Sequence, residues 1–179
     1  ENSLTIQEGV LPSAVAPILP VLFLPNGRLM GALQSLTSGV YKGPLNLTWI
    51  GIGGGFDGPN PMNLMNFINR VPDGCTLTAE SLLKNVLPLN TIAMAMGLHP
   101  RLGNEDTIID QHGKRFSSVE QVKQTVRIAN ELGREIASGK EARDIYRIGV
   151  QYETIEETLL ANGLAPNRKA GQKGVPQRG

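Results

Sequence analysis

From about residue 20 onward, short apolar runs alternate with longer segments whose apolar side chains recur every three or four positions. The run Val21, Leu22, Phe23, Leu24, closed by Pro25, Asn26 and Gly27, predicts a strand buried on both faces and then a turn. Residues 28–38 predict a helix with Leu29, Leu33 and Leu36 on one stripe and Gly39 as its stop. Residues 45–52 read as a second strand, begun after Gly43-Pro44 and ending in the cluster Gly51, Gly53, Gly54, Gly55. Asn60 before Pro61 is an N-cap followed by proline in the first turn, so a helix follows that turns Leu64, Phe67, Ile68 and Val71 inward. A short third strand is expected at 75–78, and 81–87 with 89–96 as a helix broken or kinked at Pro88 and stopped by Gly97. Residues 99–103 form the fourth expected strand.

Three later helices are marked by capping boxes, in which a Ser or Thr and a Glu three residues on satisfy each other's backbone N–H groups. The pairs are Ser117 with Glu120, Ser138 with Glu141 and Thr154 with Glu157. The first helix is expected to bury Val119, Val122, Val126, Ala129 and Leu132 before Gly133, and the last ends at Asn162-Gly163. Residues 165–179 carry four basic residues, no acids and three glycines, which predicts a disordered tail or an arm laid across a neighbouring subunit. Residues 1–164 form the remaining unit. Alternating strands and helices argue for a parallel α/β architecture. The four βα units plus terminal helices equal half of a (β/α)₈ TIM barrel, which takes roughly 250 residues when whole. A small doubly wound sheet fits the same periodicity.

Composition narrows the function classes. With 179 residues, 40% hydrophobic content and a formal net charge of +1, the chain can bury a core and has no general attraction to nucleic acid or anionic membrane. Cys75 is the single cysteine, so no internal disulfide can form, and a reducing cytoplasmic location is expected. The longest apolar stretch, 15–24, is interrupted by Pro17 and Pro20 and is too short to span a bilayer.

Reactive groups of parallel α/β proteins lie at the C-terminal ends of strands and in the loops that follow. Arg101 at the end of the fourth strand and Glu105 and Asp106 just after it fall within six residues. A carboxylate there can ligate a divalent metal, a second can act as general base, and an arginine can orient it or clamp a substrate carboxylate. Gly53 and Gly54, after the second strand, are candidate substrate-binding positions, because glycine lets backbone N–H groups approach an anion. His99 and His112 share no metal-ligand spacing, and His99 is expected to be a packed side chain. Met62, Met65, Met94 and Met96 are expected in the core, Cys75 as a small core residue and Trp49 against a helix. Glu80, expected just beyond the third strand, points to the same end of the sheet as Glu105. Helix N-terminal charge explains it equally well.

The run Gly97-Leu98-His99-Pro100-Arg101-Leu102-Gly103-Asn104-Glu105-Asp106 resembles the last barrel strand of the β-keto acid cleavage enzymes, with every fixed position of a G-x-H-x-R-x-G-x-E-D motif met. The likeness extends through 119–137 and Glu141-Ala142-Arg143, and more loosely back to about residue 20. The resemblance implies a zinc-dependent TIM barrel that cleaves a β-keto acid with acetyl-CoA, releasing acetoacetate and a new acyl-CoA. It implies Glu105 as a zinc ligand, Asp106 as general base and Arg101 as the group orienting it. The family's other zinc ligands form an HxH pair on an early strand, and this sequence contains no HxH. The expectation is therefore the C-terminal half of such an enzyme, inactive without the N-terminal half and found as a homo-oligomer or paired with that half. Another metal-dependent barrel lyase or aldolase, and an inactive fragment serving as an assembly module, stay open at this point.

Overall fold

Strands β3 (Asn46–Ile52), β4 (Thr76–Leu82) and β5 (His99–Leu102) lie side by side in chain order and all parallel, with Asn46 opposite Thr76 and Thr78 opposite His99. The computed structural model describes residues 3–4, 7–8, 26–52, 60–82 and 86–164. Two short N-terminal strands join in: β1 (Ser3–Leu4) pairs with β6 (Glu135–Ile136), and β2 (Gln7–Glu8) flanks β5, giving the sheet order β2-β5-β4-β3. The helices are α1 (Asn26–Thr37), α2 (Pro61–Ile68), α3 (Leu87–Ala95), α4 (Ser118–Glu131), α5 (Gly139–Ile145) and α6 (Ile155–Ala161).

The two faces of the sheet differ in chemistry. Alternate strand residues Leu47, Trp49, Leu77 and Ala79 join one core with Leu29, Ala32 and Leu36 of α1, Leu64 and Phe67 of α2, and Leu89 and Ala93 of α3. Each large side chain buried there contributes about 1.5–3 kcal/mol. The residues between them, Asn46, Thr78, Glu80 and His99, are buried and polar and project to the opposite face. At its N-terminal end that face is covered by the end of α5. Asn46 Nδ2 donates to the Tyr146 carbonyl at 3.0 Å, Thr78 Oγ1 meets Tyr146 Oη at 3.0 Å, and the rings of His99 and Tyr146 lie 5.5 Å apart. The C-terminal helix is tied to β3 by Asn162, whose Oδ1 accepts from Leu45 N at 2.6 Å while Nδ2 donates to the Gly43 and Thr158 carbonyls.

Local signals account for most boundaries. Asn60 caps α2, and all three capping boxes form, each Ser or Thr side chain accepting from the backbone of its Glu. Gly39 ends α1 with φ +74° and lies against Ile155, where a Cβ would meet Ile155 Cδ1 at 2.8 Å.

Other expectations are corrected. The third strand runs through Glu80, Ser81 and Leu82, so the helix expected from residue 81 begins only at Leu87. Pro88 falls in its first turn, where a missing N–H costs nothing, so it opens the helix and does not interrupt it. Along α4 the buried stripe is Gln121, Thr125 and Ala129, while Val119 and Leu132 are exposed. Met94 is buried as expected, but Met62 and Met96 are exposed. Cys75 is half-buried at the edge of the core, and Trp49 is fully buried within it. The strand expected at 21–24 and the tail at 165–179 lie outside the described residues.

Candidate active site at the end of strand β5

Arg101 stands on the polar face of β5, and its backbone carbonyl accepts from Asn90 Nδ2 of α3 at 3.2 Å. After Leu102 the chain turns at once. The N–H groups of Asp106 and Thr107 both donate to the Gly103 carbonyl, at 3.0 and 3.2 Å. This single turn separates two neighbouring acids. Asp106 is carried inward to 1% exposure, whereas the Glu105 side chain stays 63% exposed. The loop beyond is held from several sides. Asn104 N donates to Ser118 Oγ at 3.0 Å, and Gln121 Nε2, buried on α4, donates to the Thr107 carbonyl at 2.9 Å. Asp110 Oδ1 accepts from His112 N and Lys114 N, both at 2.8 Å, closing the tip.

The charges form a tight group. Arg101 uses Nη1 on Glu80 Oε2 and Nη2 on Glu105 Oε2. Glu80 comes from β4 and is 1% exposed. Asp106 stands next to Glu80, close enough for the two carboxyls to share a proton, and no N–H group among the described residues donates to either of its oxygens. Burial first, then the Glu80 carboxyl, push the Asp106 pKa from 3.8 up to about 8. Burial alone would lower the Arg101 pKa, but Glu80, then Asp106 and Glu105, hold it above its ordinary value. Three carboxyls therefore surround one guanidinium, an arrangement with a deficit of positive charge that suits an added cation or a bound proton.

The sequence-predicted residues Arg101, Glu105 and Asp106 are thus brought together, with one change of detail. Arg101 pairs directly with Glu80 and Glu105 and acts on Asp106 only through its charge. Gly53 and Gly54 lie outside the described residues. Glu80 was legible in the sequence only as an acid near the right end of the sheet. Its place inside the strand and on the polar face put it in the site. His99 is a packed residue, as expected, below Arg101 on the same face. No group of three or more His, Cys, Asp or Glu among the described residues is arranged to hold a metal ion. A recess of about 430 Å³ lined by Asn104, Ile108, Arg115, Phe116, Ser117 and Glu120 flanks the loop, and none of the four charged residues lines it.

Comparison with known proteins places this constellation in context. The profile of the beta-keto acid cleavage enzyme family matches residues 26–148, which includes all four charged residues. The chain is 30% identical over 119 residues to a 3-keto-5-aminohexanoate cleavage enzyme of Acetoanaerobium sticklandii, covering 65% of this chain and 43% of that protein. It is 41% identical over 84 residues to the enzyme of the same name from Fusobacterium nucleatum subsp. nucleatum, covering 46% of this chain and 31% of that one. A 3-dehydrocarnitine:acetyl-CoA trimethylamine transferase of Rhizobium meliloti is 26% identical over 118 residues, covering 65% of this chain and 39% of the transferase. The matches span less than half the length of each of these relatives.

Proposed function

The chain belongs to the beta-keto acid cleavage enzyme family, and from that premise we propose that it is the C-terminal half of a zinc-dependent (β/α)₈ barrel enzyme that cleaves a β-keto acid with acetyl-CoA, giving acetoacetate and an acyl-CoA. The observation that carries the reading is the group Arg101, Glu105 and Asp106 at the C-terminal end of a parallel strand, the place where barrel enzymes keep their reactive groups.

The barrel reading is supported by the two unlike faces of the sheet. A doubly wound sheet is covered by helices on both faces, and both are apolar. Here α1, α2 and α3 cover one face, and Asn46, Thr78, Glu80, His99 and Arg101 occupy the other, as suits a barrel interior. The missing half is supported by uncovered surface. Val119, Leu132 and Ile136 are exposed, and β3 has a strand neighbour on one side only among the described residues. We assign that surface to the remainder of the barrel or to a second copy of the chain.

Glu105, exposed and with Oε1 outside the ion pair, would give the zinc one carboxylate oxygen, and the other ligands would come from the remainder of the barrel. The sequence has no HxH pair to supply them. When bound, the zinc supplies a Lewis acid that polarises the keto oxygen of the substrate. Asp106, whose buried setting raises its proton affinity, is suited in its ionised form to take a proton from the substrate at a carboxylate oxygen. Arg101 holds Glu105 in place and offsets the charge of the acids around it. Glycines 53 and 54 would line the substrate pocket. Among the described residues no helix is long and apolar enough to cross a membrane.

Native mass and zinc content of the purified protein, followed by turnover of β-keto acids with acetyl-CoA, test the proposal. About one zinc per chain in an assembly heavier than 19.3 kDa is expected. A metal-free species of that mass would overturn it.

A further inference from the structure

The buried acid Glu80 lies outside the decapeptide motif yet touches its central residue. An ionised carboxylate persists in an interior only when paired. The partner here is Arg101, which is itself mostly covered, with a side chain 20% exposed. The guanidinium is planar, so fixing Nη1 on Glu80 fixes the direction in which Nη2 points. That direction is toward Glu105. Without the anchor, the same guanidinium could close on Asp106, whose two oxygens receive no N–H group among the described residues, and a direct ion pair would occupy the oxygens the base needs.

We propose that Glu80 is a positioning residue: it anchors Arg101 through Nη1, holding Nη2 on Glu105 and keeping the guanidinium off Asp106. The inference rests on the reaction proposed above. Its structural half concerns Arg101 alone and stands or falls separately. Glu80 touches no substrate atom, and beyond its direct effect on the Asp106 carboxyl it acts through Arg101. The chain places it for this task by continuing β4 past Thr78, so that residue 80 falls on the polar face beside the neighbouring strand's arginine.

The test uses the native, zinc-loaded protein with acetyl-CoA and 3-keto-5-aminohexanoate as probe acid, and kcat expressed per bound zinc so that unfolded protein does not count. Glu80→Gln keeps the shape and removes the charge. It is expected to lower kcat about tenfold to a hundredfold, the scale of a small misplacement in a reactive site, with KM little changed. In an Arg101→Gln background the same change is expected to cost clearly less, because only the direct effect of Glu80 on Asp106 remains. Equal losses in both backgrounds would overturn the proposal. Nitrogen-15 NMR of the guanidinium gives a readout independent of turnover, with Arg101 assigned by difference from Arg101→Gln. Separately resolved Nη signals are expected in the unsubstituted protein, merging in Glu80→Gln. A single averaged Nη signal in the unsubstituted protein would overturn the anchor, and this holds even if Glu80→Gln fails to fold. Absence of turnover in the unsubstituted protein with resolved Nη signals would sink the proposed reaction for this acid and leave the anchor standing.

Discussion

Arg101 and Glu80 form an ion pair across two neighbouring parallel strands, with the carboxylate 1% exposed and the guanidinium 20% exposed. Each makes the other's burial tolerable, and together they set the electrostatics of everything at the end of β5.

Removing only the cation leaves an uncompensated buried charge. Arg101→Gln is expected to destabilise the fold by about 3 kcal/mol. Glu80→Gln in the same chain should recover most of that loss, since both charges are then gone. Urea denaturation of the two single variants and the double variant measures the coupling, and additive losses would contradict a direct pair.

Glu105 and Asp106 are adjacent in sequence but are assigned separate tasks. Glu105→Gln is expected to lower bound zinc per chain in the assembled protein. Asp106→Asn is expected to retain the metal and lose about 10²–10⁴-fold in kcat, the usual worth of a general base. Metal analysis beside steady-state kinetics separates the two, and loss of zinc in Asp106→Asn would reverse the assignment. Chelation of the zinc should abolish turnover in every variant.

On mild acidification His99 should contribute a loss of stability, whereas Asp106, raised to about 8, contributes a gain in every variant that keeps it. Burial first, and then the charge of Arg134, lower the His99 pKa from 6.5 to about 4. The unfolded chain therefore binds the proton more readily than the folded one. The stability this confers is complete above about pH 6.5 and is lost as pH falls through about 4. A shift of that size corresponds to about 3 kcal/mol. Between pH 7 and 4 the urea midpoint of the unsubstituted protein should fall relative to that of His99→Gln, which lacks the titrating ring packed on Tyr146 and shares the opposing slope of Asp106.

Asn162 closes the far end of the fold by serving Leu45 N, the Gly43 carbonyl and the Thr158 carbonyl at once. Asn162→Ala strands buried backbone groups at the start of β3 and should cost about 1–3 kcal/mol. Because the site lies at the other end of the strands, kcat per bound zinc should be unchanged, and a drop in that ratio would mean that the two ends are coupled.

Helix starts were legible because they depend on neighbours in the chain. Asn60, Ser117, Ser138 and Thr154 each bond to backbone within a few residues, so spacing alone revealed them. The length of β4 was not legible. Glu80, Ser81 and Leu82 carry no strong strand signal, and pairing with Ile50, Gly51 and Ile52 of β3 draws them into the sheet. The buried stripe of α4 was misread for a related reason. Its helical spacing offered the apolar Val119 and Leu132, but the face against α3 and β5 presents Gln121, Thr125 and Ala129. Gln121 is buried because the Thr107 carbonyl needs its amide. The short strands β1, β2 and β6 are two residues each and leave no periodic trace.

The sequence by itself determined the family and the parallel α/β class, and pointed to Arg101, Glu105 and Asp106 as candidates, because these reside in a contiguous motif and in local alternation. Only the tertiary structure decided that Glu80 and Asp106 are buried, that Glu105 is exposed, and that the arginine holds Glu80 and Glu105. Those outcomes depend on the turn at Gly103 that sends Asp106 inward, and on the strand pairing that sets Glu80 beside Arg101. Burial and charge pairing are properties of the assembled sheet, and residues far apart in the chain acquire them only when the strands meet.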